Sequence, residues 1–511
     1  MGVCLPTRRL LVGLSVVVLL AGCTSSATPP PSSTAATPTE ATAPSVAAAT
    51  PTVTATPTPT ATPAPTPVAR VTVTVVGSTA QVPAPNGSDD TATIQAALDA
   101  CVKHGPGCTV QLGAGTYKTR QLVARNFQGT FKGAGEETTT VEALPALSVN
   151  VPDFFSAGEC VPNLSDCLWP SLIVFVDGTV AVSDLAILVT ATDGQATAPW
   201  TIGGSSVTSL IDALRFMGRH ATAVTVDRVA IEGRHDTSVT SLDGYNLVNG
   251  ILYAGELPRS STPFDYYTLS GSLVVRASSF TAMDSGVGAD GFLSSVKGTI
   301  GGSAAAANKF ADVHTGIGLQ TSQGSVFDVS YNTASAAWAG LAVSPWQPAF
   351  IPSSTSQYRV HDNTFQTAAS AAPGAEGIYL RDDPTHPWLQ ATVSNNAVKL
   401  QAPLNEGIEA DNTVGTVISG NTVSGTADFD AISLYGASKG SVSGNHVSGL
   451  AVNTDPGIGL AQIYLDPHTA ALKVSCAGPS DTVADQGKGN TVVGCHAVTT
   501  NAPGHEGSPS G

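Results

Sequence analysis

Glu409 and Asp411 stand two residues apart in the run Asn405-Glu-Gly-Ile-Glu-Ala-Asp411, which alternates like a strand around a central isoleucine. Residues two apart on one strand face lie ~6.7 Å from each other. That separation suits an inverting acid/base pair, whose carboxyls stand ~6.5–9.5 Å apart. Crowded carboxyls also push one pKa up, as a general acid needs. Similar runs flank this one: Gly377-Ile-Tyr-Leu-Arg381, Ala431-Ile-Ser-Leu-Tyr435 and Gln462-Ile-Tyr-Leu-Asp466. If each isoleucine points inward, the residues one and three places later share the outer face. That face carries Tyr379, Glu409, Ser433 and Tyr464 in one column, and Arg381, Asp411, Tyr435 and Asp466 in the other. Glu409, Asp411, Arg381 and Asp466 are the expected catalytic groups. Arg381 would bind an anionic sugar carboxylate or act as base in an elimination. Tyr379, Tyr435 and Tyr464 would stack on sugar rings. The same carboxylates could instead hold Ca²⁺, a hard ion that takes six to eight oxygens; no other cofactor or metal is expected. Glu376, Glu406 and Asp430 are placed in the turn before each strand, and His104, His220, His235 and His314 read as isolated surface or turn residues.

These runs belong to a repeat. An apolar-Ser-Gly-Asn-x-apolar unit recurs at Asn396, Asn421 and Asn445, with looser copies at Asn332 and Asn363. The asparagine intervals are 31, 33, 25 and 24 residues. A second unit follows each of them, from Gly286-Val, Gly316-Ile and Gly340-Leu to Gly377-Ile, Gly407-Ile and Ala431-Ile. A period near 24 with short β-type runs and no helix between them predicts a β-solenoid with three short strands per rung. Leucine is not the recurrent apolar residue, which sets a leucine-rich repeat aside. The asparagine is expected to take the left-handed backbone conformation at the turn and to hydrogen-bond its counterpart in the next rung. Before the first rung, residues 86–101 read as a capped helix with Ser88, Asp89 and Asp90 as possible N-caps and Ile94, Ala97, Leu98 and Cys101 on one face. Such a helix would cover the open end of the solenoid.

The chain has 511 residues, 42% hydrophobic and 12% charged, with a net charge of −16. The hydrophobic content allows a large core, and the acidic balance argues against nucleic acid or anionic lipid as partner. Residues 1–22 read as an export signal, with Arg8 and Arg9 before the apolar stretch Leu10 to Leu20. Leu20-Ala-Gly-Cys23 resembles a bacterial lipobox, which implies cleavage before Cys23 and a lipid on its thiol. Residues 23–69, rich in Thr, Ala and Pro, form a tether that reaches at most about 140 Å at ~3.1 Å per residue. Residues 70–511 form the body. Its six cysteines fall into three sequence-local pairs, expected as disulfides: Cys101 with Cys108, Cys160 with Cys167, and Cys476 with Cys495.

The opening Asp89-Asp-Thr…Ile94-Gln-Ala-Ala-Leu-Asp-Ala100, the turn Gly113-Ala-Gly-Thr-Tyr117 and the Ser-Gly-Asn rungs together resemble the pectate lyase superfamily, including the group related to family 28 glycosidases. The resemblance spans roughly residues 71–500. It implies an all-β, single-stranded right-handed parallel β-helix with an N-terminal capping helix, and leaves the activity open, because this fold carries hydrolases, lyases, epimerases and phage tailspikes. Asn453-Thr-Asp455 matches one polygalacturonase motif, without the elements that follow it in that family. Tyr464-Leu-Asp466-Pro-His468 is similar to the Tyr-x-x-Asp-Pro-His element of mannuronan C5-epimerases, one residue short, and adds His468 to the substrate-binding set.

The expectation is a cell-surface lipoprotein, lipid-anchored at the outer face of a bacterial membrane, whose β-helix binds and degrades or modifies an acidic polysaccharide. Hydrolysis is favoured over elimination or epimerisation because carboxylates outnumber basic residues. The rival is a non-catalytic adhesin or glycan-binding module. The anchor has a direct test: Cys23→Ala should move the protein from the membrane pellet to the soluble fraction.

Overall fold

The computed structural model describes residues 71–144, 171–189, 200–202, 205–207, 210–237, 247–255, 269–290, 293–320, 324–344, 355–369, 371, 374–384, 387–401, 405–425, 429–449 and 461–498. The leader, Cys23, the tether and Asn453–Asp455 lie outside the described residues.

The strands are short because small polar turn residues interrupt each apolar run, and each run alternates. In Leu389–Ser394, Leu389, Ala391 and Val393 are buried while Gln390 and Thr392 are exposed. A single apolar-in period buries one face of each strand, and stacking the strands in register joins those faces into one core. A complete rung runs through Val417–Ser419, Thr422–Gly425 and Phe429–Tyr435. Each strand pairs in parallel with its equivalent one rung on: Val417 with Ser441, Thr422 with His446, Ile432 with Ile463. Among the described residues thirty-one strands join one continuous sheet, parallel except for the opening pair Val75–Val76 and Thr79–Gln81, which is antiparallel. The fold is the parallel β-helix that the opening motif implied, with the right-handed connection that parallel crossovers take. The stacking continues past the last asparagine: Thr491–Val493 stacks on Lys473–Ser475, which stacks on Ser441–Ser443.

The interior is one apolar cluster running along the axis. Like residues stack within it: Phe280 on Phe310 with centroids 4.8 Å apart, and Phe327 on Tyr358 at 5.9 Å. The α-helix Thr91–His104 closes the first rungs, burying Ile94, Ala97, Leu98 and Cys101 against that cluster. Asp90 is its N-cap residue, yet the carboxylate does not cap the helix. It accepts instead from the backbone N–H groups of Asn86 and Lys118, tying the helix start to the second strand of the opening turn.

Two of the three expected disulfides are present. Cys101 bridges Cys108, joining the last helical turn to the first rung, and Cys476 bridges Cys495 across the last rungs. The third expectation differs in standing. Cys160 lies outside the described residues, and so does Cys167. The bridge expected between Cys160 and Cys167 is therefore not among the observed disulfides, and that pairing rests on the sequence alone.

The asparagines form a ladder. Nδ2 of Asn332 donates to Oδ1 of Asn363 at 3.0 Å, Asn363 to Asn396, Asn396 to Asn421 and Asn421 to Asn445, each of these at 2.9 Å. Each Oδ1 also accepts the backbone N–H of the asparagine one rung before, and each amide reaches a strand carbonyl. The ladder begins a rung earlier than the repeat predicted, at Asn308, which donates to Asn332 at 2.9 Å. One expectation is corrected. The left-handed residue is not the asparagine but the one before it: Tyr331, Asp362, Asn395, Gly420 and Gly444, with φ of 62°, 56°, 56°, 66° and 60°. The chain turns there so that the next side chain can enter the interior and make its bonds.

Removing one member exposes the cost. Asn396→Ala strips the acceptor from both the backbone N–H and the side-chain amide of Asn363. At about 1–3 kcal/mol per unsatisfied buried group, it should cost roughly 2–5 kcal/mol, read as a lower urea midpoint with an unchanged slope.

Candidate functional site

The third strand of each rung builds the site. The register is Tyr379 beside Glu409 beside Ser433 beside Tyr464, and Arg381 beside Asp411 beside Tyr435. Ile378, Ile408 and Ile432 lie in the core, so the inward assignment holds and the columns between them face out.

Two further carboxyls join this face from the positions read as a turn. Glu376 and Glu406 begin the strands and pair with each other. Strict alternation would send Glu406 to the same side as Ile408. The glycine between them breaks that alternation. A Cβ on Gly407 would lie 2.4 Å from the Ala431 carbonyl oxygen and 2.6 Å from a Val423 methyl. Gly377 is closed in the same way by Val398 and Gly407. The backbone bends at the glycine, and the residue before it swings back to the outer face. Glu406 thereby reaches a side-chain hydrogen bond with Glu409. The signal available in the sequence was the Glu-Gly-Ile repeat itself, in which a glycine at a fixed inward position marks a bend rather than an alternating strand.

Glu376, Glu406 and Glu409 are buried. Burial, then the charges of Glu406, Asp411 and Glu376, push the Glu409 carboxyl well above its ordinary range. Both causes favour its protonated form. Asp411 is pushed up to about 7, by burial against the pull of Arg381. A side-chain hydrogen bond joins Glu409 to Asp411 as well, so the two titrate as a pair. Tyr379 donates to Asp411 Oδ2 at 3.5 Å, and its hydroxyl pKa is raised by burial and by these carboxyls.

Several expectations change here. The Glu409 and Asp411 side chains interact directly as well as through charge, so neither carboxyl acts independently of the other. Tyr379 and Tyr464 are 2% and 5% exposed, so neither offers an open ring face to a sugar. Tyr435 is half-buried and packs on Tyr464 with centroids 5.7 Å apart. Asp466 is buried with both oxygens engaged. Oδ1 accepts from the N–H groups of Gly436 and His468, and Oδ2 meets His468 Nδ1 at 3.0 Å. These bonds make Asp466 the anchor of the Pro-His turn, with the His468 side chain exposed beside it. Among the described residues, no three His, Cys, Asp or Glu side chains are arranged to hold a metal ion.

A second polar group on the same face went unread. His314 Nδ1 lies 3.2 Å from Asp284 Oδ1, and its ring stacks on Trp338 at 5.8 Å. Trp338 meets Tyr379 edge-on at 5.9 Å. Parallel stacking brings Asp284, His314 and Trp338 together although 54 residues separate the first from the last in sequence. Further toward the helix end of the solenoid, Asp212 is buried and bonded by Ser171, Arg215 and Asn249. The early rungs are therefore not uniformly smooth, although Gly288, Gly318 and Ala342 do line them.

No family model matches the chain, and no curated protein matches it in sequence. Solved structures do. The A-module of the Azotobacter vinelandii mannuronan C-5 epimerase AlgE4 is 13% identical, with a TM-score of 0.36 over 83% of this chain and 98% of that one. A DFA-IIIase from Arthrobacter chlorophenolicus is 13% identical, with a TM-score of 0.48 over 84% of this chain and 100% of that one. PfbA, a surface adhesin of Streptococcus pneumoniae, is 12% identical, with a TM-score of 0.41 over 72% and 90%. The activity is therefore argued from this chain's own residues.

The raised acid has a measurable sign. Asp411, lifted from 3.8 to about 7 in the fold, lends stability that is fully present below pH 3.8 and lost as the pH rises through 7. The urea midpoint should fall over that window, by less than about 1.4 kcal/mol per pH unit for one partly exposed group, and Asp411→Asn should flatten the fall.

Proposed function

We propose that this chain is a carbohydrate-active β-helix protein that cleaves an acidic polysaccharide by acid/base catalysis, displayed outside a bacterial membrane through a lipid on Cys23. The observation that carries the reading is the Glu409–Asp411 pair, two interacting carboxyls with raised pKa values on the outer face beside Arg381. A carboxyl titrating near 7 is an efficient proton donor at neutral pH, because it is both protonated and ready to give the proton up. Asp411 is the more exposed member and the one beside Arg381, so it is the general acid. Glu409 holds the proton in place, and Tyr379 steadies the second Asp411 oxygen. Arg381 offers a guanidinium in register with the acid, the group suited to a uronate carboxylate. Hydrolysis stays ahead of elimination because the site is built from acids rather than from a neutral base.

The purified chain should be incubated with pectic, alginate and neutral glycans, and the products weighed. Fragments that have gained water support hydrolysis, and unsaturated ends would replace it with elimination. Asp411→Asn should lower kcat by about 10²–10⁴. Saturable binding with unchanged masses would leave a glycan-binding surface module.

A further inference from the structure

Two polar atoms beside Glu409 are buried and have no hydrogen-bond partner among the described residues: Oε2 of Glu406 and Oγ of Ser433. Glu406 is 7% exposed and Ser433 is 0% exposed. Ser433 lies in register with Glu409 on one side and Tyr464 on the other, both outward, so its hydroxyl belongs to the same face. Leaving one such group unpaired costs about 1–3 kcal/mol, and an unsatisfied buried group calls for a specific occupant. Two of them flanking one carboxyl point to a single small occupant. Their needs are complementary: a water can donate to the Glu406 carboxylate and accept from the Ser433 hydroxyl.

We propose that Glu406 and Ser433 hold the water that attacks the sugar, with Glu406 as the base and Ser433 as a positioning residue. The inference rests on the glycan-cleaving reading above. It supplies the base that the reading, with its acid at Asp411, does not yet name. The step balances. The water oxygen bonds to the anomeric carbon and its proton passes to Glu406. The glycosidic C–O bond breaks, its electron pair goes to the leaving oxygen, and that oxygen takes the proton from Asp411. The base is then protonated and the acid is not. Glu409 is hydrogen-bonded to both Glu406 and Asp411, so it is the path by which the proton returns for the next cycle.

A crystal structure of the full chain tests the geometry without reference to activity. An ordered water within about 2.6–3.2 Å of both Glu406 Oε2 and Ser433 Oγ is expected. No such water, or a Ser433 hydroxyl bonded to protein, would overturn the assignment. On a glycan that the chain cleaves, Glu406→Gln should lower kcat by about 10²–10⁴ with little change in KM, and Ser433→Ala by about tenfold, the value of one hydrogen bond. Azide should restore turnover of Glu406→Ala and give the glycosyl azide, because an anionic nucleophile needs no base; a merely structural glutamate would show no rescue. Full activity of Glu406→Gln alongside inactive Asp411→Asn would remove this inference and keep the acid. If the wild-type chain cleaves nothing, the parent reading fails, and the water, if seen, is structural.

Discussion

Everything else in this molecule depends on the stacking register, and the asparagine ladder holds that register. A one-residue slip turns a strand's core face outward and is strongly resisted by burial. A two-residue slip keeps that face inward, and apolar contacts resist it only weakly, because valine and isoleucine interchange without much loss. A buried amide cannot slip. Each ladder asparagine donates to the next asparagine and to a strand carbonyl, and accepts from the backbone one rung back, so a shift strands several polar groups at once. Specificity comes from the polar element, and most of the stabilisation comes from the core around it.

The same register places the acidic centre. Parallel strands lie ~4.8 Å apart, so carboxyls at equivalent positions in successive rungs repel one another if charged. Glu376 and Glu406 occupy such positions, and Glu409 and Asp411 lie close by. Glu409 is buried beside them, and its raised pKa favours the protonated form, which lessens that repulsion. Arg381 offsets part of the remaining charge at Asp411. A ledge of this kind makes an unfavourable resting state, as strained or uncompensated groups at working sites commonly do. The rest of the chain can carry it because the core beneath is continuous.

Aromatic side chains play two roles that their residue type does not distinguish. Phe280, Phe310 and Phe327 stack inside as core. Trp338, Tyr379 and Tyr464 lie on the outer face yet are packed by their neighbours, Trp338 between His314 and Tyr379 and Tyr464 against Tyr435. They pack against one another on that face more than they present open rings, and the two tyrosine hydroxyls bond to Asp411 and Gln486.

Much was legible from the sequence alone because a solenoid is locally encoded. The repeat period, the inward isoleucines, the helix face of Ile94, Ala97, Leu98 and Cys101, and the outward placement of Tyr379, Glu409, Arg381 and Asp411 all follow from alternation and spacing within one rung. What only the tertiary structure decided is how the rungs act on each other. The bend at Gly377 and Gly407 arises because a neighbouring carbonyl and a packed side chain fill the space a Cβ would need, and it carries Glu406 onto the working face. Which tyrosines are covered and where their hydroxyls bond depend on partners in neighbouring rungs, Asp411 for Tyr379 and Gln486 for Tyr464, and Asp466 reaches back to the Gly436 N–H one rung away. Those choices are set by burial and electrostatics in the assembled stack.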